Sequence, residues 1–182
     1  MKKNVGTAPA LYPMPLAVIG GMNGEKPTWT LVAHMGIIGH DRILVSLAAP
    51  HFINGCIKKE GKLSVNLVDE SMLPEADEAG AVSGNKEDKS ALFAWERGEH
   101  GAPVIGKAPL SVECTVADIY ETKGFESFIC TIDGTYVDEK HLDAQGKINY
   151  DTLKPVLFEF PTYSYLKTGE MLGKCLSFHK GK

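Results

Sequence analysis

Apolar residues are grouped along the chain into short runs that are separated by turn-forming residues. In residues 13–20, 28–35 and 43–49 the apolar residues follow one another almost directly, which predicts β-strands. We expect the strands at residues 28–35 and 43–49 to be covered on both faces. Residues 23–27 begin with Asn-Gly, a dipeptide typical of tight hairpin turns. These runs predict a hairpin followed by a third strand.

Strict alternation of apolar and polar residues marks three further strands, at residues 62–68, 111–121 and 125–137. In the first of them we expect the apolar positions to point inward, namely Leu63, Val65 and Leu67. We expect the polar positions to point outward, namely Lys62, Ser64 and Asn66. The other two segments, joined at residues 122–124, predict a hairpin with these facing apolar positions: Val112, Cys114 and Val116 against Phe128, Cys130 and Ile132.

Residues 51–60, 72–79 and 88–97 predict short helices. Gly61 stands where a helix stop belongs, because glycine readily adopts the left-handed conformation that ends many helices. Glycines and prolines mark residues 98–109 as a loop, and residues 156–160 again have the character of a strand.

Six or more strands, joined mostly as hairpins and with short helices inserted, favour a closed antiparallel barrel over a parallel sheet. The 182 residues can bury one substantial hydrophobic core. We therefore expect a single domain that spans residues 1–182.

Charge and composition exclude several classes of protein. The 23 acidic residues outnumber the 19 basic ones, and a net charge of −4 argues against a nucleic-acid partner. No run approaches the ~20 apolar residues of a membrane span, and we see no export signal. The four scattered cysteines contain no C-x-x-C pair, which favours reduced thiols in a cytoplasmic protein.

No catalytic metal or nucleophile stands out. The six histidines, none of which has the spacing of a metal site, are His34, His40, His51, His100, His141 and His179. The chain also lacks a G-x-S-x-G elbow and a Cys–His signature. We therefore expect no metal centre and no covalent catalysis by a side chain.

Residues 83–90, SGNKEDKS, are a first candidate for an anion site. They are not a P-loop, because Asp88 stands where that motif requires a glycine. The Ser83 hydroxyl, the Gly84 backbone and the ammonium of Lys86 or Lys89 could still hold one phosphate. A solvated loop that caps a following helix is the alternative.

Residues 48–56, AAPHFINGC, are a second candidate, because a strand ends there and a helix begins. The first N–H groups of a helix have no intrahelical partner and attract anions. His51 and Asn54 would add side-chain donors. A structural helix start that binds only water remains equally compatible with these residues.

The strand at residues 28–35, the glycine-rich loop after it, the helix start and the lysine loop together describe a site for a mononucleotide with a flat ring. No acid–base residue is obvious beside them. That pattern favours a cofactor that carries out its own chemistry while the protein positions it.

Three segments resemble the flavin reductase-like family, the FMN-binding split barrels of the flavoredoxin type. They are TLVAHMGIIGHDRILVSLAAPHFINGCIKKEGKLSVNLV, AGAVSGNKEDKS and YSYLKTGEMLGKCLSF, in the order that the family has. The resemblance implies a mainly β (α+β) fold, a six-stranded antiparallel Greek-key split barrel with short inserted helices. It also implies a homodimer with non-covalent FMN near the interface.

The resemblance further implies which residues bind FMN. The ring would contact Thr30, Leu31, Val32, Ala33, His34 and Met35. The ribityl chain would follow Ser46, Leu47, Ala48 and Ala49. The phosphate would be held by His51, Phe52, Ile53, Asn54, Ser83, Gly84 and Lys89, and Tyr165 would cover the edge of the flavin. Three places depart from the family. His34 stands where relatives tend to have tryptophan, and His51 stands where many have Ser, Thr or Arg. Arg42 and Ile43 follow the loop's Asp41, where relatives often have two prolines.

The implied activity is that of an FMN-dependent oxidoreductase, which moves electrons from NAD(P)H through bound FMN to an acceptor such as a redox partner protein. The alternative is an FMN-binding electron carrier without NAD(P)H activity of its own. A barrel that has lost its cofactor and serves as a dimeric scaffold is a third reading. The sequence separates them poorly, since no arginine-rich patch for the NADP 2′-phosphate is visible.

Overall fold

The computed structural model of the chain describes residues 1–178, so that His179 lies outside the described residues. The strands are β1 (Met14–Pro15), β2 (Ala17–Asn23), β3 (Lys26–Val32), β4 (Met35–Ile37), β5 (Arg42–Ala48), β6 (Lys62–Leu67), β7 (Trp95–Arg97), β8 (Pro103–Ile105), β9 (Leu110–Thr122), β10 (Phe125–Val137), β11 (Leu157–Glu159) and β12 (Ser164–Leu166). The helices are α1 (Phe52–Glu60), α2 (Leu73–Ala81) and α3 (Tyr150–Leu153), with a 3₁₀ turn at Glu139–His141.

Seven strands form one curled antiparallel sheet in the order β3-β2-β6-β9-β10-β5-β4. Its two edge strands, β3 and β4, follow each other in the chain and are separated only by Ala33 and His34. The sheet must therefore curl until its edges meet at that point. The prediction of a mainly β split barrel is confirmed, with seven strands in the main sheet rather than six.

The additional strand comes from the segment predicted as one strand over residues 28–35. The chain bends at Ala33 and His34, where the backbone N–H of Ser46 on β5 donates to the His34 carbonyl at 2.9 Å. This bond holds the bend against β5. One predicted strand is thereby divided into the two edges of the sheet, and the gap between β3 and β5 is left open.

Helix α1 closes one end of the barrel. Its Ile53 and Ile57 belong to the core cluster inside the sheet, and they pack so closely on Gly21 of β2 that a Cβ there would lie 3.1 Å from Ile53. Gly61 ends the helix with φ of 67° and donates its N–H to the Ile57 carbonyl at 2.8 Å. The predicted helix and its glycine stop are confirmed.

A second apolar cluster lies outside the sheet. Val18 and Trp29 of the β2–β3 hairpin pack there against Ala76 and Ala79 of α2 and against Phe93. The small sheet β1-β11-β12 and the β7–β8 hairpin extend this outer layer. β2 is therefore covered on both faces.

Two predictions about this outer layer are wrong. Residues 88–97 do not form a helix, because Phe93 is buried against Trp29 and the segment then continues into β7, which pairs with β8. Ser64 and Asn66 do not point to solvent, because the β7–β8 hairpin covers that face of β6.

The buried polar side chains of β6 and of the neighbouring strand β9 form hydrogen bonds with residues 98–105 instead of with water. The Ser64 hydroxyl donates to the Pro103 carbonyl, and the Asn66 side chain accepts from the Ile105 N–H at 3.1 Å. Fully buried Glu113 accepts from the backbone N–H groups of His100 and Ala102. This network attaches residues 98–105 to the barrel.

Candidate functional site

Two adjacent cavities follow β3 along the open gap between β3 and β5. The polar cavity has a volume of about 230 Å³, and the apolar cavity has a volume of about 260 Å³. β3 and the bend after it contribute residues 28–30 to the first and residues 31–34 to the second. His51 lines both cavities, so they meet at the start of α1.

Lys89 places a buried positive charge at the polar cavity. Its side chain is almost fully buried, and its ammonium donates to the carbonyls of Ala79 and Val82, both at 2.8 Å. These carbonyls belong to the C-terminal turn of α2, so Lys89 caps that helix. An ammonium has three protons, which leaves one for the cavity that Lys89 lines. Burial lowers the pKa of Lys89 from its ordinary value.

The start of α1 adds backbone donors to the same cavity. Phe52 and Ile53 line it, and the N–H groups in the first turn of a helix have no intrahelical acceptor. His51, the N-cap residue, makes no side-chain capping bond. Its Nδ1 instead lies 3.2 Å from Thr30 Oγ1 on β3, so the ring is fixed across the cavity.

Close backbone packing shapes the polar cavity. A Cβ at Gly80 of α2 would lie 2.9 Å from Leu31 Cβ, and one at Gly84 would lie 3.1 Å from Phe52. The Asn85 amide donates to the Pro50 carbonyl at 3.1 Å and joins the loop to the start of α1. Among the described residues that line the cavity, none carries a carboxylate. A cavity with a buried lysine, free helix donors and no acid is suited to an anion.

The apolar cavity is bounded by the bend after β3, by β5 and by aromatic side chains. His34 lies edge-on to Phe125 and Phe160, with ring centroids 5.7 Å and 5.8 Å away. Phe158 completes the aromatic lining. Since β3 is an edge strand, every second backbone N–H and C=O group on it faces the gap rather than β2. The cavity thus combines an apolar lining with backbone donors and acceptors.

β5 forms the opposite wall of the apolar cavity. Ser46, Leu47 and Ala48 line it. The Leu47 side chain is buried in the barrel core, which leaves its backbone for the cavity. The Ser46 hydroxyl forms a 2.7 Å hydrogen bond with that of Ser127 on β10.

The structure brings most of the predicted flavin-binding residues to the walls of the two cavities. They are Thr30, Leu31, Val32, Ala33, His34, Ser46, Leu47, Ala48, His51, Phe52, Ile53, Ser83, Gly84 and Lys89. Four others are absent from both linings: Met35, Ala49, Asn54 and Tyr165.

Specific contacts account for three of these four positions. The buried Asn54 amide donates to the Ala48 carbonyl at 3.1 Å and to Glu126 at 2.8 Å, which ties α1 to β5 and β10. The Tyr165 hydroxyl donates to Asp77 on α2. Burial raises the pKa of Tyr165, and the contact with Asp77 raises it further. Met35 lies on β4, beyond the bend, and lines a neighbouring groove on the other side of Ala33, His34 and Ser46.

Several lining residues are missing from the sequence-based prediction. The aromatic residues among them are Phe125, Phe158 and Phe160, and the polar cavity also includes Thr28 and Gly80. Phe158 and Phe160 alternate in the predicted strand at residues 156–160, which is a signal for one shared face. Their position over the gap depends on the pairing of β11 with β1, which the sequence does not indicate.

Within residues 1–178, no group of three or more His, Cys, Asp or Glu side chains is placed to hold a metal ion. In the same range, no helix is long and apolar enough to cross a membrane. The cysteines are free, and burial raises the pKa of Cys130 to about 12.

Comparison with known proteins decides the family. The model of the flavin reductase like domain matches residues 10–166. The chain belongs to the flavin reductase-like family. Membership supports a redox function that involves a flavin. The residues that line the two cavities all lie within the matched region.

Two solved structures are closely similar over nearly the whole chain. Flavoredoxin from Methanosarcina acetivorans has 29% identity and a TM-score of 0.92, with 98% of this chain and 97% of that chain covered. Flavoredoxin of Desulfovibrio vulgaris (Miyazaki F) has 30% identity and a TM-score of 0.90, with coverage of 99% and 100%.

A more distant structure shares the fold. The FMN-binding protein from Thermus thermophilus has 18% identity and a TM-score of 0.80, with 96% and 99% of the two chains covered. A comparison with curated proteins finds no match.

Proposed function

We propose that this protein binds FMN non-covalently in the two joined cavities and acts as an oxidoreductase that moves electrons from NAD(P)H to an acceptor. The observation that carries the proposal is the pairing of an acid-free cavity containing a buried lysine with an adjacent apolar cavity along an open strand edge. An elongated ligand with one anionic end and one flat end matches this arrangement.

The dimensions support the fit. Ligand pockets usually enclose ~300–1,000 Å³, and at about 230 Å³ and 260 Å³ each cavity is too small alone, whereas together they reach that range. The polarity also runs in the direction that FMN requires. Lys89 lies at one end, and Phe125, Phe158 and Phe160 lie at the other.

Each part of the site then has a definite task. The Lys89 ammonium and the first N–H groups of α1 would hold the phosphate. Backbone groups on the free edge of β3 and the bend at His34 would orient the ring edge, while the phenylalanines exclude water. When bound, FMN supplies the redox chemistry, because its ring accepts electrons from NAD(P)H and passes them to an acceptor.

A homodimer is part of the proposal. Exposed apolar side chains support it, and they include Leu11, Ile37, Ile38, Met171, Leu172, Leu176 and Phe178. Leu11 and Ile38 line one groove together with Met35 and Leu44, and a contiguous apolar patch of this kind usually marks a protein interface. Ile37 and Ile38 are 77% and 51% exposed, so the apolar loop after the bend does not fill the protein's own core. Analytical ultracentrifugation tests this, and a monomer at micromolar concentration contradicts it.

The proposed function is tested in two steps. Purified protein mixed with FMN and passed through a desalting column should retain the visible absorption bands of the flavin. Loss of all flavin from a folded protein would contradict the binding site. Oxidation of NADH and NADPH is then followed with the FMN complex. Retained flavin without oxidation of either nucleotide would favour the electron carrier over the oxidoreductase.

A further inference from the structure

His51 occupies the point where the polar and apolar cavities meet. It lines both, and it is the N-cap residue of the nine-residue helix α1 without making a capping bond through its side chain. The ring is held by Thr30, whose Oγ1 lies 3.2 Å from Nδ1. This position places a titratable ring beside the N–H groups that would bind a phosphate.

Few charged or titratable groups share a cavity with His51. A third groove that it lines contains Cys56 and Lys59 of its own helix α1. Lys89 is the charged group that the loop at residues 83–90 brings to the polar cavity. β3 presents Thr28 and Thr30, and the end of α2 presents residues 80–82, none of which titrates. Across the apolar cavity, the other titratable side chain in the lining is His34.

The surroundings of His51 favour its neutral form in the flavin-free protein. Burial lowers the pKa of His51 below its ordinary value, and the positive charge of Lys89 lowers it further. Among residues 1–178, no carboxylate lines the polar cavity to oppose these two effects. A phosphate dianion in that cavity would reverse the balance, because an opposite charge within ~4–6 Å favours the charged form.

We propose that His51 takes up one proton from solvent when the phosphate of FMN occupies the polar cavity, so that FMN binding strengthens as the pH falls from 8.5 to about 6.5. This inference rests on the proposed function. The proton forms an N–H bond at the imidazole, and no electrons are exchanged. With both nitrogens protonated, Nδ1 donates to Thr30 Oγ1 and Nε2 carries a proton that can be donated to the anion.

Proton uptake by His51 and FMN affinity are linked. Because the complex favours protonated His51, FMN binds more tightly at low pH, and this extra affinity is lost as the pH rises through the pKa of His51 in the complex. Each unit by which the bound phosphate raises that pKa gives up to about tenfold in affinity. The phosphate's own second pKa of about 6 acts in the opposite direction, because binding the dianion releases protons.

Isothermal titration calorimetry tests the proposal with FMN and riboflavin in buffers of different ionisation enthalpy at pH 7.5. We expect net proton uptake on FMN binding and none on riboflavin binding, because riboflavin lacks the phosphate. We also expect FMN affinity to rise by about three- to tenfold between pH 8.5 and pH 6.5. The variant His51→Gln should still bind FMN but lose both the uptake and this rise.

The outcomes separate the inference from the proposed function. FMN binding with equal proton exchange in the unaltered protein and in His51→Gln would overturn the role of His51 and leave the flavin site in place. Equal uptake with FMN and riboflavin would overturn it as well, and this comparison needs no variant that must fold. Failure to bind either flavin would overturn the proposed function itself.

Discussion

Replacing Lys89 by methionine removes the buried ammonium while keeping a long apolar side chain. Two separate effects should follow, because Lys89 both caps α2 through the Ala79 and Val82 carbonyls and lines the polar cavity. The first effect concerns the stability of the flavin-free protein. The second concerns the affinity for the phosphate of FMN.

The stability effect is a difference between opposing contributions. An acceptor left without a partner in the interior costs about 1–3 kcal/mol, and two carbonyls are affected. Desolvation of the ammonium, which lowers the pKa of Lys89, no longer opposes folding in the variant. We therefore expect Lys89→Met to lower the free energy of unfolding by about 1–3 kcal/mol in total.

The effect on affinity comes from one lost charge-assisted hydrogen bond. Such a bond contributes about 1.5–3 kcal/mol. The dissociation constant for FMN should rise by roughly 10- to 150-fold, since about 1.4 kcal/mol corresponds to a factor of ten. Riboflavin has no phosphate, so its affinity should change by less than about threefold.

Fluorescence titration with both flavins measures these affinities, and urea denaturation of the flavin-free proteins measures stability. Lys86→Met is the matched control, because it removes the same charge from the same loop at an exposed side chain that lines neither cavity. A folded Lys89→Met protein with unchanged FMN affinity would refute the phosphate assignment. Lys89 would then serve only as the cap of α2.

Three further predictions concern the scaffold and its pH dependence. Glu113→Ala should lower stability by about 2–4 kcal/mol in urea denaturation, since it leaves buried backbone N–H groups without an acceptor; a loss below about 0.5 kcal/mol would contradict this. Gly80→Val should destabilise by about 1–3 kcal/mol in thermal unfolding, because its Cβ would lie 2.9 Å from Leu31 Cβ; an unchanged midpoint would show that α2 shifts freely. Asp88 accepts hydrogen bonds from the Ser90 backbone N–H and from the Lys26 ammonium, and these lower its pKa from 3.8 to about 2. Its contribution to stability is therefore present above pH 3.8 and is lost as the pH falls through 2, and a carboxyl titration near pH 4 by NMR would contradict it.

Local turn chemistry made much of the barrel predictable. Asn23 and Gly24 mark a tight hairpin, and the structure pairs Asn23 with Lys26 across it. Residues 122–124 likewise join β9 and β10. Gly61 ends α1 in the left-handed conformation. Each of these features depends on neighbouring residues, so the sequence carries the signal directly.

Tertiary packing decided the features that the sequence could not show. Residues 88–97 were predicted as a helix, but burial of Phe93 against Trp29 and pairing of β7 with β8 prevail over local preference. Ser64 was expected to face solvent, but the β7–β8 hairpin covers it and the Pro103 carbonyl accepts its hydroxyl proton. A polar side chain in an alternating strand does not reveal whether a later segment will cover it.

In the candidate site, too, the sequence predicts the residues that lie in continuous segments and misses those that long-range pairing brings together. The strand, the helix start and the lysine loop are continuous segments, and most of their predicted residues line the cavities. Phe158 and Phe160 reach the apolar cavity through pairing between β11 and β1, which lie far apart in sequence. The amide of Asn54 is engaged by Glu126, a contact between residues 72 positions apart. Such long-range pairings determine which side chains face the ligand.

A crystal structure of the FMN complex tests the central claim most directly. We predict that the phosphate lies within hydrogen-bonding distance of the Lys89 ammonium and the first N–H groups of α1. The flavin ring should lie in the apolar cavity between the bend at His34 and the aromatic side chains. FMN bound elsewhere, or an apolar cavity filled by the protein's own side chains with no space for the ring, would contradict this account.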